Sequence, residues 1–362
     1  MPSSPPIKQK SCGKTAEKEK FMNTRMFISP LTEEQYGEAA AIIRDGGLLG
    51  IPTETVYGLG ANALNETACR NIYIAKGRPQ DNPLIIHIPD SSWLSRYCKD
   101  IPETAYRLAE AFWPGPLTMI LPKQDIVPMA TTGGLDTVGV RCPDHPVTLE
   151  IIRRAGVPVA APSGNLSGRP SPTTAQHMQE DMTGRIDGII DGGPCGVGVE
   201  STIIDLTCTP PRLLRPGGLP LEALQKILGT VEVDKAVVQE PEKGEKPKAP
   251  GMAYRHYAPK APVTVVCGEA AKTAQYIQQH LSETVGIICF HEFIGQFSGH
   301  IVHDLGHEAD PAEQAQRVFD ALRTFDGTDV TEIFAQCPGS EGLGLAVENR
   351  LKKAAGFHVI EV

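Results

Sequence analysis

No two of the nine cysteines in this 362-residue sequence fall in a C-x-x-C spacing. The odd, dispersed set reads as reduced thiols of a cytoplasmic protein and argues against a structural zinc site. No apolar stretch approaches the roughly 18 residues of a membrane span, and the greasiest segment, Thr284–Phe290, is far shorter. Neither an H-E-x-x-H motif, a Ser-His-Asp spacing nor a pair of catalytic carboxylates stands out. Aromatic residues are scarce at 6% and no arginine-rich stripe is visible, while 34 basic residues face 43 acidic ones for a net charge of −9. That balance disfavours a protein coated in phosphate-binding charge, though it leaves room for one basic cleft.

With 41% hydrophobic and 21% charged residues, the chain is an ordinary globule long enough for two domains. Residues 1–28 read as a disordered tail without a signal peptide's apolar core, and Met22 and Met26 are alternative translation starts. Within it, Gly13, Lys14 and Thr15 imitate the end of a phosphate-binding loop, but Lys8 stands where that motif needs glycine.

From about residue 30 to 228, helical and strand-like segments alternate, which indicates an α/β layer fold. Thr32, Glu33, Glu34 and Gln35 form a capping box, and the helix it opens is expected to stop at Gly46 and Gly47. Further helices are expected at Glu66–Lys76 and from Pro102 to just before Pro114. Strands are expected at Leu48–Thr53, Pro83–Ile88, Leu117–Leu121, Val138–Arg141, Val157–Ala161, Ile189–Asp191, Thr202–Leu206 and Arg212–Leu214. Many short strands without helices between them predict a mixed sheet. Gln239–Pro250, with three prolines and alternating charge, marks an exposed linker inside a connecting segment of 231–260. A compact β/α unit with a parallel sheet is expected over 261–362.

Several polar segments sit at expected strand ends, where α/β folds bind ligands. Thr53, Glu54, Thr55 and Tyr57 crowd one of them. Gly58, Gly60 and Ala63 fit a loose G-x-G-x-x-A pattern, yet no helix opens at the glycines, so a turn is the better reading. Lys76 and Arg78 flank Gly77 at a helix end, a placement suited to phosphate or carboxylate recognition. Ser163, Asn165, Ser167 and Ser171 lie in a Gly- and Pro-rich loop able to present hydroxyls and amides to an anion. Arg141, Ser201 and Arg215 also end strands. The histidines at 300, 303 and 307 form no metal site, because strand alternation sends His300 and His303 to opposite faces.

These segments together resemble the threonylcarbamoyl-AMP synthase family, the YrdC-like proteins. The likeness rests on PTETVYGLG (52–60), KGRPQDNPLIIHI (76–88), FWPGPLTMIL (112–121), VGVRCPDHP (138–146), APSGNLSGRPSPT (161–173), VESTIIDL (199–206) and LLRPGG (213–218). PGMAYRHYAP (250–259) and GLGLAVENRLKKAA (342–355) resemble the long form of the family. The resemblance implies a YrdC-like twisted mixed sheet with flanking helices over 29–230, and a smaller Rossmann-like β/α domain over 261–362. It implies that L-threonine, bicarbonate and ATP are joined into threonylcarbamoyl-adenylate with release of pyrophosphate, for threonylcarbamoyl modification of tRNA adenosine 37. ATP would meet Arg78, Asn82, Thr137, Ser163, Ser171, Arg215 and either Tyr254 or Tyr257. L-threonine would meet Thr55, His87, Arg141, Ala161 and Ser201. Lys76, Arg78, Ser163 and Asn165 are the candidate catalytic residues, with Mg²⁺ carried on the nucleotide and no resident metal. The implied partner is a downstream tRNA threonylcarbamoyl transferase, with no membrane involved. The second domain, coupled to the cleft by PGMAYRHYAP, is expected to act as a lid. The alternatives are an RNA-binding protein using a positive cavity, disfavoured by the −9 charge, and another carbamoyl-adenylating enzyme as in hydrogenase maturation. The latter is expected to carry zinc-finger and acylphosphatase modules that this sequence lacks.

Overall fold

The computed structural model describes residues 22–239, 247–252 and 256–362. The described residues form two sheets. The larger has eleven strands and is mixed. From edge to edge its first six are Arg25–Ile28, Gly188–Asp191, Leu49–Ile51, Gly58–Asn62, Val159–Ala160 and Ile85–His87; Thr137–Arg141, Leu117–Pro122, Thr202–Asp205, Arg212–Arg215 and Glu232–Val233 complete it. The smaller runs Ile301–Asp304, Val285–Cys289, Glu332–Gln336, Val263–Cys267 and Val359–Glu361, with every neighbouring pair parallel.

Local chemistry explains the elements that frame the cleft. Thr32 caps helix Glu33–Arg44 through the reciprocal capping box with Gln35. Asn65 caps helix Glu66–Lys76, which stops because Gly77 takes a left-handed conformation (φ 62°) that a side chain would strain. In the smaller unit, helices Ala270–Gln279, Pro311–Thr324 and Gly344–Ala354 make the crossovers between parallel strands. Asp310 accepts from the amides of Ala312 and Glu313, so Pro311–Thr324 starts with proline at its first position and a satisfied N-terminus.

Four expectations need correction. Arg25–Ile28 is no part of a tail. It is an edge strand parallel to Gly188–Asp191, anchored by fully buried Phe27. Gly58–Asn62 is a strand rather than a turn. Its glycines leave room for neighbours, since a Cβ on Gly60 would stand 3.1 Å from Val159 and one on Gly58 3.2 Å from Ala161. Helices Pro146–Ala155 and Ala175–Met182 lie between strands expected to have no helix between them. Residues 231–238 continue the first unit, with Glu232–Val233 pairing on Arg212–Arg215 and a short helix at Lys235–Val238. Of the expected tail and linker, residues 1–21, 240–246 and 253–255 lie outside the described residues.

The two units are packed together through apolar and charged contacts. Val56 and Val199 from the first unit join Tyr257, Val318 and Phe319 in one core. Asp181, fully buried, pairs with Arg323 of the second unit at 2.6 Å and with Arg169 at 2.5 Å. No described helix is long and apolar enough to cross a membrane.

Candidate active site

Strand register gathers the polar residues. His87 stands opposite Arg141 on parallel strands, and Arg141 opposite Thr118 on the next. Leu117 pairs with Thr202, which brings Ser201 beside Thr118, their hydroxyls 2.8 Å apart. The loop after Val159–Ala160 returns Ser163 to a bridge with Gly58. These pieces enclose a cavity of about 60 Å³, capped by Pro250, Gly251, His256 and Tyr257 from the segment that joins the two units.

Of the residues singled out in the sequence, Lys76, Arg78, His87, Arg141, Ala161, Ser163, Asn165, Ser201, Arg215 and Tyr257 line this cavity. Thr55 lies directly behind it, buried, its hydroxyl 2.8 Å from that of Thr53, which does line it. Asn82 is buried and its main-chain carbonyl accepts from Arg78 Nε at 3.3 Å, while its side-chain oxygen has no protein partner. Ser171 does not line the cavity; it donates at 2.6 Å to Glu200, which does. Thr137 shares Arg141's face of their strand but stands four residues away, about 13 Å along it. Tyr254 lies outside the described residues.

The cations differ in what they do. Lys76 Nζ donates to the carbonyl of Ser163 at 2.6 Å and also to that of Asn165, so it pins the serine-rich loop onto the helix end. Burial, with Arg78 nearby, pulls its ammonium well below the usual lysine range. The same loop is braced by Ser163 Oγ donating to Asn165 Oδ1 at 2.6 Å, and by Asn165 Nδ2 donating to Leu166 and Arg169 carbonyls, both at 2.8 Å. A Cβ on Gly164 between them would fall 2.1 Å from the Met178 sulfur, so any larger residue there would require the Met178 side chain to move. Arg215 donates to the Ser201 carbonyl at 2.9 Å and to the Pro250 carbonyl at 3.3 Å, tying the sheet to the joining segment. Arg141 donates to the Gly115 carbonyl at 3.3 Å, and its outer nitrogen rests 2.6 Å from the Glu54 carboxylate without an aligned hydrogen bond. Such a guanidinium keeps an unused donor for an entering carboxylate, which would share its charge with Glu54.

Electrostatics divide the site into neutral and charged groups. Burial, reinforced by Arg141, lowers the His87 imidazole to about 3, so the ring is neutral at physiological pH. Burial alone would raise the Glu200 carboxyl, but Arg350, Arg215 and the Ser171 hydrogen bond outweigh it and bring it down to about 2. Burial, then the Glu200 charge, pushes the Tyr257 phenol up to about 12. Tyr257 holds a left-handed backbone (φ 64°), uncommon for a non-glycine residue, with its ring 5.2 Å from Phe319. Among the described residues, no group of three or more His, Cys, Asp or Glu side chains is arranged to hold a metal ion.

Sequence reasoning assigned no role to Glu54, Glu200, Arg350, Lys353 or His256. Glu54 and Glu200 do lie inside quoted motifs, and Arg350 and Lys353 inside GLGLAVENRLKKAA. What hid them was distance: Arg350 meets Glu200 from 150 residues away.

Comparison with known proteins fits this arrangement. A family model described as "Telomere recombination" matches residues 41–217, and one described as "Threonylcarbamoyl-AMP synthase, C-terminal domain" matches residues 219–356. The threonylcarbamoyl-AMP synthase of Pyrococcus abyssi is 50% identical over 330 residues, covering 90% of this chain and 95% of the relative. That of Bacillus subtilis is 46% identical over 348 residues, covering 94% and 100%. The crystal structure of P. abyssi Sua5 complexed with L-threonine superposes with a TM-score of 0.85 at 47% identity, covering 94% of this chain and 99% of that one. The chain belongs to the threonylcarbamoyl-AMP synthase family, in the long form that carries a C-terminal domain.

Proposed function

We propose that this chain condenses L-threonine, bicarbonate and ATP to threonylcarbamoyl-AMP and pyrophosphate, acting as a nucleotidyltransferase. The observation that carries the reading is the buried cavity where Arg141, His87 and Ser201 meet at strand ends while Lys76, Arg78 and Arg215 surround the same space. The threonine amine and bicarbonate give an N-carboxylate, whose oxygen attacks the α-phosphorus as pyrophosphate leaves. That displacement needs no protein nucleophile; it needs neutralised charge and aligned reactants. Arg141 is suited to the threonine carboxylate, with neutral His87 beside it accepting or donating a hydrogen bond without adding charge. Arg78 and the loop that Lys76 pins, with Ser163 and Asn165, are suited to the nucleotide phosphates. Mg²⁺ would enter on those phosphates, since Glu54 and Glu200 are already paired with arginines. Asn82, Thr137, Ser171 and the tyrosines of the joining segment complete the nucleotide set by family resemblance.

The joining segment and second unit act as a lid in this reading, and a downstream tRNA transferase takes the product. The deciding experiment is pyrophosphate release from ATP and bicarbonate with and without L-threonine. Threonine-dependent release supports the reading. Release indifferent to threonine overturns it, and salt-sensitive RNA binding without such release would favour the RNA-binding alternative. A chain lacking 251–362 that kept full nucleotide affinity and turnover would overturn the lid.

A further inference from the structure

The second unit holds a cavity of its own, of about 310 Å³, that shares no lining residue with the site above. It opens where the parallel strands Val263–Cys267 and Glu332–Gln336 end, the edge at which open parallel sheets take ligands. Cys267 and Cys337 line it together with Gly268, Gly339, Glu348 and Lys352. The ladder continues into these cysteines: Val266 pairs with Gln336, and the Cys337 amide donates to the Val266 carbonyl at 3.0 Å, which places Cys337 directly opposite Cys267. Partners in a parallel ladder project to the same face, and neighbouring strands stand about 4.8 Å apart. That spacing lies inside the Cα separation a disulfide spans, about 4.4–6.8 Å.

We propose that Cys267 and Cys337 form a dithiol that low-molecular-weight disulfides oxidise to an intramolecular disulfide, with the cavity as the port of entry. Cys267 is the attacking thiol. The Cys337 thiol opposite it and the Lys352 ammonium nearby pull the Cys267 thiol below its ordinary range and favour its thiolate. The same neighbouring sulfur, with burial, pushes Cys337 up, so it is held as the thiol. Lys352 is itself fixed at 2.7 Å by Glu348 on the preceding turn of the helix.

The electron count closes in two exchanges. The Cys267 thiolate attacks the small disulfide, forming a mixed disulfide as the oxidant's S–S bond breaks and one small thiolate leaves. The charge that held the Cys337 proton is then gone, so Cys337 gives that proton to solvent. Its sulfur attacks the Cys267 sulfur and expels the second small thiolate. Two protein thiols are oxidised and one disulfide is reduced to two thiols. The other described cysteines offer no such partner. Cys69, Cys98, Cys142, Cys195 and Cys289 are buried and Cys208 is partly exposed, and none of the six stands opposite another cysteine in a strand ladder.

The test treats the full chain with excess glutathione disulfide at mildly alkaline pH, alkylates residual thiols and maps the peptides by mass. The expected product is one cross-linked pair of peptides, containing Cys267 and Cys337, two hydrogens lighter than the reduced pair. In Cys337→Ser the reaction is expected to halt at a glutathione adduct on Cys267. In Cys267→Ser, Cys337 is expected to stay alkylatable. Recovery of both cysteines as alkylated thiols in the wild-type chain would overturn the proposal, as would separate glutathione adducts on each. The wild-type map decides the matter even where a variant fails to fold.

Discussion

Arg350, on a helix of the second unit, places its Nε 2.7 Å from Oε2 of Glu200, on a loop of the first, and neither side chain is more than 7% exposed. The other Glu200 oxygen accepts from Ser171, and Arg350 also donates to the Pro216 carbonyl at 3.0 Å. The pair thus spans the two units at the edge of the reactive cavity. Removing one partner of a buried pair strands the other, at a cost of about 3–5 kcal/mol. Arg350→Met is therefore expected to destabilise the chain by about that much in urea unfolding. Adding Glu200→Gln is expected to recover part of the loss, because no lone charge remains. Strictly additive single effects would show that the two groups are not coupled.

The same pair sets an acid limb to stability. The Glu200 carboxyl falls from its ordinary value of 4.5 to about 2 on folding, so it stabilises the folded state above pH 4.5. That contribution drains away as pH falls from 4.5 toward 2. Glu200→Gln, less stable overall, is expected to show a shallower loss across that window than the wild-type chain. Equal slopes in the two acid titrations would contradict the assignment.

Arg141→Lys is expected to separate the two substrates. A lysine keeps the charge but loses the planar fork that holds both the Gly115 carbonyl and an entering carboxylate. One charge-assisted hydrogen bond contributes about 1.5–3 kcal/mol, so kcat/KM for L-threonine is expected to fall about 10- to 100-fold. The KM for ATP should move far less. A matched fall for both substrates in steady-state kinetics would place Arg141 elsewhere in the reaction. Arg78→Ala, by contrast, is expected to abolish synthesis while the fold survives.

How legible the molecule was in its sequence depended on where each constraint came from. Leu117–Leu121 was readable to within a residue, because a largely apolar run between Pro116 and Pro122 has one interpretation. The helix ending at Gly77 was readable because its stop is local. Arg25–Ile28 was not, since one buried phenylalanine among exposed neighbours forms a strand only by pairing with Gly188–Asp191, about 160 residues on. The glycines at 58 and 60 misled because close packing against Ala161 and Val159 demands the same residue as a turn. Among the site residues, Lys76 and Arg78 announced themselves by spacing. That Lys76 spends its donors on the Ser163 and Asn165 carbonyls depended on a loop nearly 90 residues away.

Lys353 is buried near the end of helix Gly344–Ala354, one turn beyond Asn349. Its Nζ donates to the Gly251 carbonyl, so the second unit grips the segment that caps the cavity. Burial, with Arg350 and Arg215 nearby, lowers its ammonium from 10.5 to about 7. Between those values the unfolded chain binds a proton that the folded one does not, so stability rises with pH from 7 to 10.5, falls back over the same window as pH drops, and levels off below 7. Lys353→Met removes the titrating group and is expected to flatten that alkaline rise in denaturant midpoints measured across the window. The same change frees Gly251 from its anchor, so nucleotide affinity is expected to fall in the variant at pH 8 although every residue that would touch the phosphates is intact. A variant with an unchanged alkaline rise and unchanged nucleotide affinity would show that Lys353 is neither neutralised by burial nor holding the cap.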